Sequence, residues 1–259
     1  MNKKFSLVLG GGAARGLAHI GVIERLDELW MKPIEISGTS IGAVIGAFYA
    51  AWYSGVDMRK IAFEANFLKL IDLDLKNWLI KWNKIMKYLA RYLGNMNFSD
   101  LTIPLSIVTT NIDTGEKIVF REGSVIEAIR SSIGIPGIFI PYKYNGMYLV
   151  DGGIIENLPI EVLENDNPVI AVSVQMDVTK RIKIKKTFLF PNGTILSNSY
   201  GIIRKMVSIM MTQNELRSIQ SRDNILLIRP WQNNVDYYEF NKMSIMIDEW
   251  YKVARELIQ

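Results

Sequence analysis

Apolar positions fall into short unbroken runs divided by small-residue turns, and into longer segments with helical spacing. Phe5-Ser6-Leu7-Val8-Leu9 and Ile34-Glu35-Ile36-Ser37 read as strands. Between them, Leu17 to Trp30 sets Leu17, Ile20, Ile23 and Leu26 on one helical face, and Pro33 stops that helix. Ala43 to Trp52 suits a buried helix. Met58 to Leu93 reads as helical throughout, and Asn95 to Leu101 breaks the pattern. Leu105 to Thr110 and Lys117 to Phe120 are β-rich and joined by a turn at Asp113-Thr114-Gly115. A short helix over Ser124 to Ser132 ends before Ile135-Pro136-Gly137. Met147 to Val150 is a short strand, and Val169 to Val174 has the continuous apolar character of a parallel strand buried on both faces. Ser199 to Gln220 is a long helix, Asn224 to Arg229 a last strand and Ser244 to Gln259 a last helix. Strand–helix–strand–helix at the start predicts parallel strands with crossovers. The expected fold is α/β: a single domain over 1–259 with a mostly parallel sheet sandwiched by helices. It carries a helical, lid-like insertion at about 58–95 and a looser helical C-terminal part at about 195–259.

Composition narrows the chemistry. The 259 residues are 49% hydrophobic, enough for a large core, and include no cysteine, which excludes disulfides, thiolate metal sites and cysteine nucleophiles. The net charge of +4 is too mild to imply nucleic acid. The apolar run after Lys3-Lys4 is cut short by Gly10-Gly11-Gly12, so a secretory leader is not expected, and no stretch has the length of a membrane span. The expectation is a cytoplasmic protein, peripheral at most on the inner membrane face, with no metal or cofactor.

Three segments carry candidate chemistry. Gly38-Thr39-Ser40-Ile41-Gly42 reads G-x-S-x-G between a strand and a helix. This suits a nucleophile elbow, where small flanking residues let a serine sit on a strained turn with the helix N-terminus aimed at it. It suits equally a plain helix cap through Ser40 or Thr39. Gly10-Gly11-Gly12-Ala13-Ala14-Arg15-Gly16 follows a strand and opens a helix, so its bare N–H groups form an anion-binding nest. The glycines match neither the dinucleotide register nor a Walker A loop, which favours an oxyanion over a phosphate. His19 is the one histidine, so a Ser-His-Asp triad exists only if His19 serves. Its setting among Leu17, Ala18 and Ile20 favours a packed structural residue. Among carboxylates Asp151 stands out, at a strand end before Gly152-Gly153, where it would meet other strand ends on one rim of a parallel sheet. Asp-Gly-Gly as a plain turn is the competing reading.

Taken in order, these segments resemble the patatin-like phospholipases, in particular the short bacterial forms. Leu17-Ala18-His19-Ile20-Gly21-Val22 resembles the family's text after its Arg-Gly. Ser132-Ile133-Gly134-Ile135-Pro136-Gly137 resembles its Ser-Ile-Pro turn, and Leu149 to Pro159, with Asn157, its Asp-Gly-Gly stretch. The resemblance implies an architecture related to the α/β-hydrolases and a serine acyl hydrolase that cleaves lipid carboxylic esters, of phospholipase A or lysophospholipase type. It implies Ser40 as nucleophile and Asp151 as base. The oxyanion hole would be built from the N–H groups of Gly11, Gly12 and neighbouring Ala13, with Arg15 nearby. Gly10, Gly16, Gly38, Gly42, Gly152 and Gly153 are the motif glycines. One position departs: aligned on Arg15-Gly16, the family's third glycine is Ala13, which keeps the N–H but is strained if the site needs positive φ. The alternatives are a thioesterase or general carboxylesterase, or a catalytically weak lipid-binding regulatory protein.

Two surfaces bear on partners. Leu75, Leu79, Trp82, Met86, Leu89 and Leu93 share one helical face, with Lys76, Lys84, Lys87 and Arg91 opposite. The segment 75–93 is therefore expected to be a basic amphipathic helix, either adsorbing to anionic membrane or packed on the core with a solvated basic face. Lys180-Arg181-Ile182-Lys183-Ile184-Lys185-Lys186 is a second basic stretch that could meet lipid headgroups.

Overall fold

The central strands are buried along their whole length, which is what a sheet covered on both faces demands. A computed structural model describes residues 4–65, 70, 72–74, 79–81, 83–136, 138–175, 194–229 and 240–259, with the backbone alone at 72–74, 79–81 and 194–204. Strands β1 (Ser6–Leu9), β2 (Glu35–Thr39), β5 (Leu105–Asn111) and β9 (Val169–Val172) have no exposed position. They join β6 (Lys117–Phe120), β7 (Tyr142–Tyr144), β8 (Met147–Asp151) and β10 (Ile225–Ile228) in one sheet of order β10-β9-β1-β2-β5-β8-β7, with β6 also on β5. The pairs from β10 through β5 are parallel, and the pairs of β5 with β6 and β8, and of β8 with β7, are antiparallel. The expected mostly parallel α/β sheet is thus present, with an antiparallel flank.

Strand alternation divides the core. Leu7 and Leu9 of β1 and Ile170 and Val172 of β9 face one large cluster, shared with helices α1 (His19–Glu28), α2 (Ile41–Ala50), α3 (Gly55–Glu64), α4 (Asn83–Leu93), α5 (Val125–Ser132) and α7 (Met243–Leu257). Val8, Val169 and Ala171 face the other side, where Leu158, Ile160 and Leu163 cover them and Ile219 of α6 (Thr194–Gln220) packs alongside. Helix α7 closes against α1 so tightly that a methyl on Gly21 would lie 2.1 Å from the Ile247 carbonyl oxygen. Among the described residues no helix is long and apolar enough to cross a membrane.

The register on β5 decides where strand ends meet. Ile107 and Val108 pair with both β2 and β6, and Thr109 and Thr110 pair with both β6 and β8. Strands β2 and β8 therefore share one edge of β5, end to end. Strand β2 runs parallel to β5 and stops at Thr39, opposite Val108, while β8 runs the other way and stops at Asp151, opposite Thr109. Their C-terminal ends abut.

Two expectations need correction. The continuous helix from Met58 to Leu93 is instead α3, an antiparallel pair of β3 (Asp72–Asp74) and β4 (Leu79–Lys81), and α4. Asp72-Leu73-Asp74 alternates with period two, a strand signal that a long helical window overrode. The amphipathic helix therefore begins at Asn83 and excludes Leu79. Leu89 and Leu93 are buried and Lys84, Lys87 and Arg91 exposed, while Leu75, Lys76 and Trp82 lie outside the described residues, as do Gly137 and 180–186. The first helix opens with a 3-10 segment, Ala13–Ala18, so α1 starts only at His19.

Candidate active site

Ser40 occupies the junction of β2 and α2 with φ 56 and ψ −126. Such a conformation costs a non-glycine residue about 1–3 kcal/mol and persists only where surrounding structure imposes it. The imposition is close packing of backbone on backbone. A methyl on Gly38 would lie 2.6 Å from the Gly42 carbonyl oxygen, and one on Gly42 would lie 2.0 Å from the Leu9 carbonyl oxygen. The Ser40 N–H donates to Ser132 Oγ (2.9 Å), whose own hydroxyl donates to the Val108 carbonyl (2.6 Å). Ser132 thus ties the strained turn to β5. In the sequence it figured only in a flanking segment, and nothing local marked it as a support for Ser40.

Ser40 Oγ donates to Asp151 Oδ2 at 2.6 Å, and the Gly153 N–H donates to Asp151 Oδ1 at 2.8 Å. Asp151 is fully buried, and burial raises its pKa from 3.8 to about 6, against the two hydrogen bonds, which lower it. Asp151 is thus a buried carboxylate that accepts a hydrogen bond from the serine hydroxyl and is mostly ionised at neutral pH. A methyl on Gly152 would lie 2.2 Å from the Val108 carbonyl oxygen, so this glycine lets the chain turn directly over β5.

His19 is fully buried, and its Nε2 donates to the Gly10 carbonyl at 2.8 Å. Burial lowers its pKa to about 4, so it stays neutral at neutral pH. It buttresses the glycine turn and stands apart from the Ser40–Asp151 pair, which agrees with its apolar sequence setting.

The glycine turn lies over the elbow: a methyl on Gly11 would lie 3.1 Å from Ser40 Cβ. The turn's N–H groups are not equivalent. Gly10 donates to the Val172 carbonyl (3.0 Å) and Gly11 to the Asn157 carbonyl (3.1 Å). The expectation that the Gly11 N–H is a hole donor is therefore revised. Among the described residues no backbone acceptor is paired with the N–H of Gly12 or Ala13. Ala13 has φ 51, the left-handed region its replacement of glycine put in question. Arg15 is buried, with Nη2 3.5 Å from Gln175 Oε1. Gly16 packs on the elbow helix, where an added methyl would fall 2.0 Å from Ile41 Cγ2.

Ser40 and Ala13 also line a cavity of about 440 Å³. Its walls include Leu17, Val44, Phe48, Met58 and Leu89, and among the described residues every lining side chain except Ser40 and Tyr88 is apolar. The Tyr88 hydroxyl is spent on the Ile61 carbonyl at 2.7 Å. Helix α4 contributes Ile85, Tyr88 and Leu89 to this wall while its lysines face outward.

Two stability predictions follow from strain and burial. Ala13→Gly removes a left-handed alanine, and after glycine's extra chain entropy the net gain is about 0.5–1 kcal/mol, read as a rise in Tm of a few degrees. A Tm lowered by the change would contradict the assigned backbone. The elevated pKa of Asp151 means the native state holds its proton more tightly than the unfolded chain. Stability is therefore lost as pH rises from about 4 to about 6, by about 3 kcal/mol, and stays lost above. Asp151→Asn should melt higher than wild type at pH 7.5, with the gap closing toward pH 4. A gap independent of pH would refute the shift. The opposing titration of His19 is common to both proteins and cancels.

The family profile described as Patatin-like phospholipase matches residues 7–164. An uncharacterised NTE family protein of Mycobacterium bovis is 33% identical over 183 residues, covering 67% of this chain and 49% of that protein. Neuropathy target esterase of Drosophila melanogaster is 32% identical over 168 residues, covering 61% of this chain and 12% of the esterase. Lysophospholipase NTE1 of Yarrowia lipolytica is 29% identical over 177 residues, covering 66% of this chain and 12% of that protein. The chain thus spans about half the length of the first of these relatives and far less of the others. Among solved structures, VipD from Legionella pneumophila superposes with a TM-score of 0.59 at 16% identity, covering 99% of this chain and 67% of that chain, a likeness of fold. The matched profile extends from β1 through Asp151 and Asn157, across both strand ends that abut on β5, and the chain belongs to the patatin-like phospholipase family.

Proposed function

We propose that the protein is a serine acyl hydrolase that cleaves carboxylic esters of lipids through a Ser40–Asp151 dyad. The observation that carries this reading is the 2.6 Å hydrogen bond from Ser40 Oγ to a fully buried Asp151 at the wall of an apolar cavity. Family membership supports it, as do relatives whose names denote an esterase and a lysophospholipase.

Ser40 Oγ attacks the ester carbonyl carbon and its proton passes to Asp151 Oδ2. The tetrahedral oxyanion accepts hydrogen bonds from the Gly12 and Ala13 N–H groups and gains from the positive N-terminal end of α2. Collapse breaks the bond to the alcohol, which leaves with the proton returned by Asp151. Water then attacks the acyl-serine, losing its proton to Asp151, and collapse of the second tetrahedral intermediate breaks the acyl–Oγ bond as Asp151 returns that proton to Ser40 Oγ and the free acid departs. The apolar cavity receives the acyl chain, and each buried methylene contributes about 0.8 kcal/mol.

The decisive experiment is fluorophosphonate labelling of wild type beside Ser40→Ala and Asp151→Asn. Labelling should be abolished by the first change and reduced by the second, and labelling undiminished in Ser40→Ala would end the proposal. Because the base must be ionised, kcat/KM should rise with pH through a single acid limb near the Asp151 value of about 6. A limb unchanged in the residual activity of Asp151→Asn would reassign the base. Across p-nitrophenyl esters, kcat/KM should climb about three- to fourfold per added methylene until the cavity fills. A preference for acetate would favour a short-chain carboxylesterase.

A further inference from the structure

Over its described side chains, 205–220, helix α6 docks through a largely polar face, in which Met211 is buried beside polar groups. Its buried positions include Ser208, Thr212, Glu215 and Ser218, while Met206, Ile209, Met210 and Leu216 are exposed. Glu215 is fully buried, and its carboxylate accepts from Asn157 Nδ2 (2.6 Å), Ser173 Oγ (2.6 Å) and Arg229 Nη2 (2.5 Å). Arg229 Nε also donates to Ser173 Oγ (3.1 Å). Ser173 and Arg229 each follow the C-terminal end of a strand, β9 and β10, on the rim where Ser40 lies. Arg229 keeps 29% of its side chain exposed but Glu215 is fully desolvated, and the cost of burying that carboxylate makes the ion pair a poor source of net stability. Its retention asks what else the carboxylate does.

The network ends on the glycine turn. Asn157 Nδ2 donates a second hydrogen bond to the Gly11 carbonyl (3.2 Å), and Gln175 Nε2 donates to the same oxygen (3.0 Å). The Gly11 N–H is held by the Asn157 carbonyl. In a planar trans peptide the carbonyl and the next N–H point in opposite directions. Holding the Gly11 oxygen back against Asn157 and Gln175 therefore turns the Gly12 N–H the other way. The carboxylate of Glu215 dictates which end of the Asn157 amide carries nitrogen: a flipped amide would set Oδ1 against a carboxylate and a carbonyl at once.

We propose that Glu215 is a positioning residue for the oxyanion hole, acting through Asn157 to fix the Gly11–Gly12 peptide and so aim the Gly12 N–H at the developing oxyanion. Glu215 lies beyond the residues matched by the family profile. The inference rests on the acyl-hydrolase reading and goes past it by placing part of the catalytic support in the C-terminal helix.

The test compares wild type with Glu215→Gln on a long-chain p-nitrophenyl ester, with circular dichroism to verify folding. A donor that acts on the oxyanion alone is felt in the transition state, so kcat should fall about 10- to 100-fold with KM within about twofold. Affinity for a trifluoromethyl ketone, which forms a tetrahedral oxyanion on Ser40, should weaken by the same factor. A folded Glu215→Gln with unchanged kcat, or with the loss residing in KM, overturns the proposal. If Glu215→Gln fails to fold, Gln175→Met removes the second hook on the same carbonyl and decides in its place, by the same kcat-selective loss or its absence. A wild type without Ser40-dependent turnover would sink the hydrolase reading itself, whereas Ser40-dependent turnover with an indifferent Glu215→Gln sinks only the role of Glu215.

Discussion

One edge of β5 holds two strands end to end, and the site depends on that arrangement. Strand β2 arrives parallel and β8 antiparallel, and the hydrogen-bond register sets Thr39 opposite Val108 and Asp151 opposite Thr109. Neither strand can extend without colliding with the other. Both must leave the sheet at once, β2 through the strained turn at Ser40 and β8 through Gly152-Gly153. Side chains at two such abutting ends lie within hydrogen-bond reach, and ladder pairing holds them there more firmly than loops would. The Val108 carbonyl sits under the junction, accepting from Ser132 and leaving no room for a side chain on Gly152.

The molecule concentrates unfavourable terms on this rim. A serine holds a positive φ, an alanine does the same in the neighbouring turn, an aspartate is buried with its pKa raised, and a glutamate is buried behind the loop. Each is costly where it stands. They persist because the rest of the sheet is packed on both faces, with β1, β2, β5 and β9 buried throughout. A rigid apolar core supplies the surplus that strained and desolvated polar groups consume.

Much of this was legible in the linear sequence. Unbroken apolar runs marked the parallel strands, and the small residues around Ser40 and after Asp151 marked turns where backbone meets backbone. The buried setting of His19 was legible too, because Leu17, Ala18 and Ile20 surround it within one turn. The segment 58–93 was not, because a two-residue alternation over Asp72-Leu73-Asp74 is too short to compete with a helical pattern on either side. The roles of Ser132, Asn157 and Glu215 were equally invisible. Their partners lie 92, 146 and 58 residues away in the chain, and a polar residue carries no local sign of which distant group it will meet.

The sequence by itself determined the fold class, the small-residue turns around Ser40 and over Gly10 to Gly16, and the shortage of imidazole, since these rest on periodicity, steric size and composition, while it left open whether Ser40 is strained or a plain helix cap. The tertiary structure decided which N–H groups of the nest remain available, that Asp151 is desolvated, that Ala13 is left-handed and that an apolar cavity opens beside Ser40. Those properties come from elements far apart in the chain being brought against one another. Desolvation and hydrogen-bond competition are set by everything that surrounds a group in space, and for these residues most of the surroundings come from distant segments.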